Sequence, residues 1–235
     1  MKVGAVVICR YSSGRLPGKI LKLIQGKPVL QYILERLKCA SSIDAIVVAT
    51  SDQKSDQPIV DFCENFGVPC HRGSLEDVSH RFLDAAVSHE LDYAIRINGD
   101  NLFVDPSVID RMVQLIGNNK YDFLTNVPER TFPTGMSVEI VRTEFYSGIL
   151  NNFNYKESKE HVTLYLYQHE PLGNYYFLEN DICPEAKGLK LAIDDEKDFI
   201  FARSIISKMK HDHRKYGLQE IYHLANEARN EHLER

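Results

Sequence analysis

The sequence has no apolar run long enough to cross a membrane and no excess of basic residues. Its first apolar run, residues 3–8, ends before Arg10 and is too short for a membrane span or the hydrophobic core of a signal peptide. With 28 Lys and Arg against 33 Asp and Glu, the net charge is −5, whereas phosphate-backbone affinity needs a basic surface. These absences predict a soluble, cytoplasmic protein with no membrane or nucleic-acid partner.

Closely paired cysteines are also absent. The odd set lacks the spacing of a zinc site, and its members are Cys9, Cys39, Cys63, Cys70 and Cys183. Two of them, Cys9 and Cys63, lie in apolar runs that are typical of buried thiols. We expect all five to be reduced, without a disulfide or a structural metal.

Short apolar strands alternate with amphipathic helical segments along the chain. The predicted strands are residues 3–8, 45–50, 93–98, 121–124, 137–141 and 189–193. The predicted helices are residues 28–37, 59–66, 106–116, 196–210 and 218 onward. This alternation predicts one α/β domain over residues 1–235, Rossmann-like, with a mostly parallel sheet and helices on both faces.

Two parts of this pattern differ from the rest. Alternation in residues 137–141 predicts a strand with one face in solvent. Residues 130–180 are rich in Tyr, Asn, Phe and His, and predict a small inserted lobe that covers the active site or makes a dimer contact.

The loop after the first strand combines cations with small residues. The cations are Arg10, Arg15 and Lys19, and the small residues are Ser12, Ser13, Gly14 and Gly18. Backbone N–H groups of small residues can approach an anion closely, so the loop predicts a triphosphate site. It is not a Walker A loop, because it is one residue short and lacks the Ser or Thr that holds Mg²⁺. The alternative is a solvated basic turn, which the position directly after a buried strand disfavours.

Two acidic residues follow predicted strands at the edge where ligands bind. Asp100 comes after residues 93–98, and Asp194 comes after residues 189–193. Carboxylates from neighbouring strands can share a phosphate-bound Mg²⁺. The adjacent Asp195 fits a helix N-cap, so we assign metal binding to Asp194 and capping to Asp195.

A series of motifs resembles the cytidylyltransferase family. In chain order they are Arg10 with residues 15–19 (Arg-Leu-Pro-Gly-Lys), Thr50-Ser51, Arg72-Gly73, Arg81, residues 96–100 (Arg-Ile-Asn-Gly-Asp), residues 132–135 (Phe-Pro-Thr-Gly), residues 160–163 (Glu-His-Val-Thr) and Asp194. The resemblance covers nearly the whole chain and is strongest to the spore-coat polysaccharide branch, which neighbours the acylneuraminate and KDO (3-deoxy-manno-octulosonate) cytidylyltransferases.

The resemblance implies transfer of CMP from CTP to an anionic sugar or sugar-like acceptor, with release of pyrophosphate, for cell-surface polysaccharide synthesis. It implies that Arg10, Arg15 and Lys19 act on the phosphates and that Asp100 and Asp194 bind Mg²⁺. The implied nucleotide-binding residues are Ser12, Ser13, Gly14, Thr50, Ser51, Arg72, Arg81 and Asn98. In-line attack on the α-phosphorus depends mainly on positioning and charge neutralisation.

Candidate acceptor-binding residues lie in the expected lobe. They are Arg130, Pro133, Glu139 and His161, and His161 serves either as a base or as a binding group. The aromatic residues Tyr165, Tyr167, Tyr175, Tyr176 and Phe177 predict a lobe core or an interface, and hence a homodimer. The segment 211–213 (His-Asp-His) predicts a solvated helix end rather than a metal site.

Two other functions fit part of this pattern. A glycosyltransferase of the GT-A type also places metal-binding acids behind a nucleotide-binding sheet, although its diphosphate donor requires no triphosphate loop. A non-catalytic nucleotide-binding module could keep the same fold. The residues leave open the choice between CTP and UTP and the identity of the acceptor.

Overall fold

The structure is a computed structural model that describes residues 1–152, 159–169 and 171–233. The strands are β1 (Val3–Ile8), β2 (Leu23–Ile24), β3 (Lys27–Pro28), β4 (Ala45–Ser51), β5 (Cys70–Gly73), β6 (Tyr93–Asn98), β7 (Phe123–Thr125), β8 (Glu139–Arg142) and β9 (Tyr175–Phe177). The α-helices are α1 (Val29–Leu37), α2 (Gln57–Phe66), α3 (Val78–Ser88), α4 (Pro106–Asn119), α5 (Thr143–Asn152), α6 (Leu164–Gln168), α7 (Glu196–Lys208) and α8 (Leu218–Leu233).

A seven-stranded sheet of order β5-β4-β1-β6-β8-β7-β9 forms the central layer, and β2 pairs with β3 in a separate hairpin. The pairs β5–β4, β4–β1, β1–β6 and β7–β9 are parallel, whereas β8 is antiparallel to both β6 and β7. The predicted α/β fold with a mostly parallel sheet is confirmed. Because β1, β4 and β6 run in the same direction, the loops that follow them meet at one edge of the sheet.

Helices cover both faces of the sheet because the side chains of its strands alternate. In β1, Ala5 and Val7 join one core with α1, α2, α4, α7 and α8, whereas Val6 joins a second core with α3, α5 and α6. The residues of β1 are almost completely buried, which explains its continuous apolar sequence.

Two strand predictions need correction. Residues 189–193 do not form a strand; they make a single β-bridge, between Lys190 and Thr134, and Ile193 N–H donates to the Asp100 carbonyl at 3.2 Å. Their apolar alternation comes from packing into the core rather than from strand pairing. The strand predicted at 137–141 is also not half-solvated, because β8 lies between β6 and β7 with Glu139, Ile140 and Val141 buried.

The segment predicted as an inserted lobe contributes to the central sheet. It supplies β8 and β9, while α5 packs in the second core against α3. Most of the aromatic residues named for this segment are packed: Tyr165, Tyr167 and Tyr175 lie against the second core, and Tyr176 against the first. Residues 153–158 and 170 of this segment lie outside the described residues.

The described residues also bear on the predictions about membrane spans and cysteines. No helix in the described ranges is both long and apolar enough to span a membrane. The five cysteines are free thiols: Cys9, Cys63 and Cys183 are buried, Cys70 is half-buried and Cys39 is exposed.

A buried arginine fastens the C-terminal segment to the core. Arg36 of α1 donates to the carbonyls of Val104, His213 and Tyr216 at 2.7, 2.6 and 2.8 Å. Burial is the main cause that lowers the Arg36 pKa to about 10. His213 is only 7% exposed and its Nε2 lies 2.7 Å from Glu35 Oε2, so the predicted solvated helix end is wrong at this residue.

We predict that Arg36→Met destabilises the protein by about 3 kcal/mol, because three buried carbonyls lose their donor. Urea unfolding followed by circular dichroism measures this change in the free energy of unfolding. Arg203→Met on the exposed surface of α7 is the matched control and should leave the midpoint unchanged. Equal midpoints for both variants would show that Arg36 does not hold the C-terminal segment.

Candidate active site

A buried carboxylate shapes the loop that follows β1. Asp56, at the start of α2, accepts hydrogen bonds from Tyr11 N–H at 2.8 Å and from Ser51 N–H at 3.0 Å. Within the loop, the Tyr11 carbonyl accepts from Ser13 N–H at 2.9 Å and from Gly18 N–H at 2.8 Å. The loop therefore folds back on itself and turns its cations toward the end of β6.

Thr50 and Ser51 need correction as nucleotide-binding residues. Both are fully buried, and their hydroxyls donate to Asp56 Oδ2 at 3.0 and 2.5 Å. Burial opposes ionisation of Asp56, but these hydrogen bonds together lower its pKa. Thr50 and Ser51 thus hold the carboxylate that holds the loop.

The loop forms one wall of a cleft of about 410 Å³ at the carboxyl ends of β1 and β6. Its lining residues are Ile8, Cys9, Arg10, Ser13, Gly14, Arg15, Lys19, Ile20, Val78, Arg81, Asn98, Gly99, Asp100, Glu160 and His161. Gly99 is required here, because a Cβ at this position would lie 2.7 Å from Cys9 Cβ. The strand ends can therefore approach closely behind the cleft.

The three loop cations already contact carboxylate or carbonyl oxygens of the protein. Arg10 lies 3.5 Å from Glu160, Arg15 lies 2.9 Å from Asp194, and Lys19 Nζ donates to the Ile193 carbonyl at 2.6 Å. The Arg10 and Arg15 pairs are solvent-exposed on the arginine side, where an ion pair is weak. An anionic ligand can therefore displace these partners at little cost.

Two carboxylates lie near the cations: Asp100 lines the cleft, and Asp194, which is not among its lining residues, pairs with Arg15 and Lys190. Oδ1 of Asp100 is buried and has no hydrogen-bond partner in the described part of the chain. Burial is the main cause that raises the Asp100 pKa; Asp194 raises it further, and Lys19 opposes both. An orphaned carboxylate oxygen next to a second carboxylate fits a hard divalent cation, which takes oxygen ligands.

The small number of protein ligands in this pair of carboxylates bears on which metal ion can bind here. No group of three or more His, Cys, Asp or Glu side chains suited to a metal occurs among the residues described. Mg²⁺ at phosphate-transfer sites commonly uses one or two carboxylates and completes its shell with phosphates and water. The neighbouring Asp195 caps α7 in a capping box with Asp198, as expected.

The remaining predicted nucleotide-binding residues divide into two groups. Arg81 and Asn98 line the cleft, and buried Arg81 donates from Nη1 to the Ser74 carbonyl at 2.6 Å. Arg72 and Ser12 are not among the lining residues, so the cleft gives these two predictions no support. Arg72 donates to the carbonyls of residues 51–53 instead, and Ser12 is exposed.

A second cleft of about 320 Å³ adjoins the first. Its lining residues are Arg96, Asn98, Val127, Arg130, Ser137, Glu139, His161, Thr163, Leu164 and Tyr167. Asn98 and His161 line both clefts. Three of the four predicted acceptor-binding residues, Arg130, Glu139 and His161, are therefore brought together here.

Pro133 is the exception among those four, and it needs correction. It is buried in the turn at residues 132–135, which packs on residues 189–193 rather than on the second cleft. Thr134 N–H donates to the Leu189 carbonyl at 3.0 Å. Gly135 has φ +99°, and a Cβ there would lie 2.3 Å from the Ala192 nitrogen.

Sequence reasoning missed the site roles of Asp56, Arg96 and Glu160. Asp56 precedes a helix and resembles an ordinary N-cap, and Glu160 lies in a polar segment, so neither carries a distinctive signal. Arg96 does: it is a charged residue inside the apolar strand Tyr93–Asn98, and such a residue needs a partner or a function.

The cytidylyltransferase family model matches residues 5–228 of this chain, so the protein belongs to the cytidylyltransferase family. Members of this family are nucleotidyltransferases that use CTP. The chain is accordingly a CTP-dependent cytidylyltransferase, and the suspected family is confirmed.

Individual relatives agree with this assignment. The spore coat polysaccharide biosynthesis protein SpsF of Bacillus subtilis is 30% identical over 210 residues, which are 86% of this chain and 85% of that protein. A cytidylyltransferase structure from Leptospira borgpetersenii is 28% identical with a TM-score of 0.90, covering 98% and 96% of the two chains. A CMP:2-keto-3-deoxy-manno-octonic acid synthetase solved with CTP shares the fold, at 17% identity and a TM-score of 0.67, over 88% of this chain and 99% of that one.

We predict that Asp56→Asn lowers the free energy of unfolding by about 1–3 kcal/mol, because the amide cannot accept all four hydrogen bonds. Since folding lowers the Asp56 pKa, its contribution is present above the unfolded value of about 3.9 and is lost as pH falls through the folded value. Urea unfolding at pH 7 and at pH 3 measures both effects. The control is Asp52→Asn, an exposed residue directly after β4. An equal decrease in the free energy of unfolding in both variants would contradict the role of Asp56 as an anchor of the loop.

Proposed function

We propose that this enzyme transfers CMP from CTP to an anionic sugar or sugar-like acceptor in cell-surface polysaccharide synthesis. The observation that carries the proposal is the junction of two clefts at Asn98 and His161. One cleft combines three loop cations with Asp100, while Asp194 contacts Arg15 of the same loop, and the other cleft contains Arg96 and Arg130. A triphosphate and an acidic acceptor can therefore meet at the shared wall.

In the first cleft, Lys19, Arg10 and Arg15 bind the phosphates of CTP. Gly14 adds a backbone N–H group from the same loop, Ser13 lines the cleft beside it, and Arg81 and Asn98 contact the nucleotide from the other side. Asp100 and Asp194 are the residues that would hold Mg²⁺, whose chemistry here is neutralisation of charge on phosphoryl oxygens.

The reaction forms a bond between an acceptor oxygen and the α-phosphorus and breaks the bond from that phosphorus to the bridging oxygen of pyrophosphate. Charge develops on phosphoryl oxygens, so fixed cations lower the barrier. His161 faces both clefts, which suits it either to accept the proton of an acceptor hydroxyl or to bind the acceptor. Pyrophosphate leaves with the negative charge that Lys19 and Arg15 stabilise.

The biological context rests on similarity and on the thiols. A relative that covers most of this chain is a spore coat polysaccharide biosynthesis protein, which supports a role in making a surface polysaccharide. A cytoplasmic location agrees with five free cysteines, since reducing compartments keep thiols unpaired.

The first test is thermal stabilisation by CTP, UTP, ATP and GTP, each with and without Mg²⁺, because a ligand of the native state raises the unfolding temperature. We expect selective stabilisation by CTP that Mg²⁺ strengthens, followed by pyrophosphate release with an acidic acceptor. Lys19→Ala should reduce kcat/KM by about a hundredfold or more, since it removes a charge at the reacting phosphates.

Asp100→Asn in the same test should abolish the Mg²⁺-dependent part of the stabilisation while preserving the fold, because it removes an unpaired buried charge. The control for Lys19→Ala is Lys197→Ala, which also removes one positive charge, from an exposed lysine at the start of α7. Stabilisation by nucleotide-sugars instead of CTP would favour a glycosyltransferase, and stabilisation by CTP without pyrophosphate release would favour a non-catalytic nucleotide-binding module.

We also propose that the enzyme is a homodimer that associates through the sheet edge at β9. Within the described ranges, β9 pairs with β7 alone, and Leu172 and Phe177 beside this edge are 42% and 49% exposed. An open strand edge with apolar neighbours favours pairing with a second copy.

Light scattering at micromolar concentration should give twice the chain mass of 26.9 kDa. Phe177→Asp should shift the protein toward the monomer, because it buries a charge in the interface. Ile200→Asp, which changes an exposed apolar residue on α7, is the control and should leave the mass unchanged. A purely monomeric wild-type protein would contradict the proposal.

A further inference from the structure

We propose that Arg96 is the residue that binds the acidic group of the acceptor, and that Glu139 positions it for this task. This inference rests on the proposed function and names the class of acceptor: a hydroxylated compound that carries a carboxylate or phosphate apart from its nucleophilic oxygen.

Arg96 has hydrogen-bonding capacity that the protein does not use. Its Nη1 donates to Glu139 Oε2 and to Thr163 Oγ1, the latter at 3.4 Å. Its Nε is buried without a partner in the described part of the chain, although the residue lines the second cleft. A guanidinium has five donors in a planar fork that matches carboxylate and phosphate oxygens, so donors remain for a ligand.

Glu139, in contrast, is fully engaged. Its Oε1 accepts hydrogen bonds from the Thr163 hydroxyl and the Tyr167 hydroxyl, both at 2.6 Å, and its side chain is 3% exposed. Tyr167 is held in turn by Thr125 Oγ1 at 2.7 Å. Glu139 therefore has little capacity to contact an acceptor directly, and its structural effect is to fix the orientation of Arg96.

The strands make this orientation rigid. Arg96 of β6 and Glu139 of β8 are direct partners across an antiparallel pair, in the middle of the sheet. Thr163 and Tyr167 reach the pair from the segment that leads into α6 and from α6 itself. Side chains held by sheet and helix lose little freedom when a ligand binds, which favours affinity.

The charge balance of the second cleft favours an anion. Glu139 neutralises one positive charge, and Arg130 supplies another at the exposed rim. A buried ion pair alone contributes little stability, so a cross-strand pair facing a cleft calls for a further explanation. An acidic group bound to Arg96 would use its spare donors and would direct the rest of the acceptor toward Asn98 and His161.

The test compares acceptors that differ only in charge. Wild-type enzyme with CTP and Mg²⁺ is assayed for pyrophosphate release and thermal stabilisation with 2-keto sugar acids, sugar phosphates and polyol phosphates, each beside its uncharged parent. We expect response to acidic compounds only, and the responding set distinguishes a carboxylate from a phosphate. Arg96→Gln should raise the acceptor KM by about tenfold to a hundredfold, as expected for lost hydrogen bonds to a charged group.

Other measurements separate this role from a structural one. Arg96→Gln should leave stabilisation by CTP unchanged. Glu139→Gln should raise the acceptor KM, as Arg96→Gln does. Arg142→Gln, an arginine of β8 paired with Asp122, is the control and should not affect the acceptor KM. If Arg96→Gln does not fold, Arg96→Lys retains the charge without the fork and should still weaken acceptor binding.

Three results would overturn the inference: equal use of uncharged parents, an acceptor KM that Arg96→Gln leaves unchanged, or no response to any acidic compound at millimolar concentration. Stabilisation by CTP is measured without acceptor. Its failure therefore counts against the proposed use of CTP. Equal use of uncharged parents, or no response to any acidic compound, counts against an acidic acceptor, whereas an acceptor KM that Arg96→Gln leaves unchanged counts against Arg96 alone.

Discussion

The candidate active site depends on the buried carboxylate of Asp56, which joins the end of β4 to the loop that carries the cations. It accepts hydrogen bonds from the backbone of Tyr11 and Ser51 and from the hydroxyls of Thr50 and Ser51. Backbone groups of a loop cannot pair as those of a strand do, so a side chain must satisfy them. With this anchor in place, Arg10, Arg15 and Lys19 face one cleft although they are spread over ten positions.

The cleft stores unfavourable electrostatics that a substrate can relieve. Asp100 has a buried oxygen without a partner in the described part of the chain, and the ion pairs of Arg10 and Arg15 are exposed and weak. Polar groups left in this state cost stability, and they are concentrated where an enzyme must bind a charged ligand. CTP with a divalent cation, bound as proposed, would supply opposite charges to both sides at once, which is consistent with cations and carboxylates lying close together here.

The second cleft shows how the sheet extends beyond the nucleotide-binding half. β8 enters antiparallel between β6 and β7, so Glu139 faces Arg96 directly, and residues expected in a separate lobe become part of the central layer. The cleft proposed for the acceptor is therefore built on the same rigid strands as the cleft proposed for the nucleotide. Two substrates held by one sheet can be aligned without domain movement, as in-line displacement requires.

The sequence by itself determined the fold class and the family, because continuous apolar strands, helical periodicity and the Arg-Leu-Pro-Gly-Lys element are local patterns. Tertiary structure decided the rest. Thr50 and Ser51 end a strand whose carboxyl end lies at the site, but their side chains turn inward to Asp56. Residues 189–193 alternate like a strand, yet among the described residues they form only an isolated β-bridge. The ion pair of Arg96 with Glu139 could likewise not be predicted from the sequence, since side-chain direction and strand pairing depend on contacts between residues far apart in the chain.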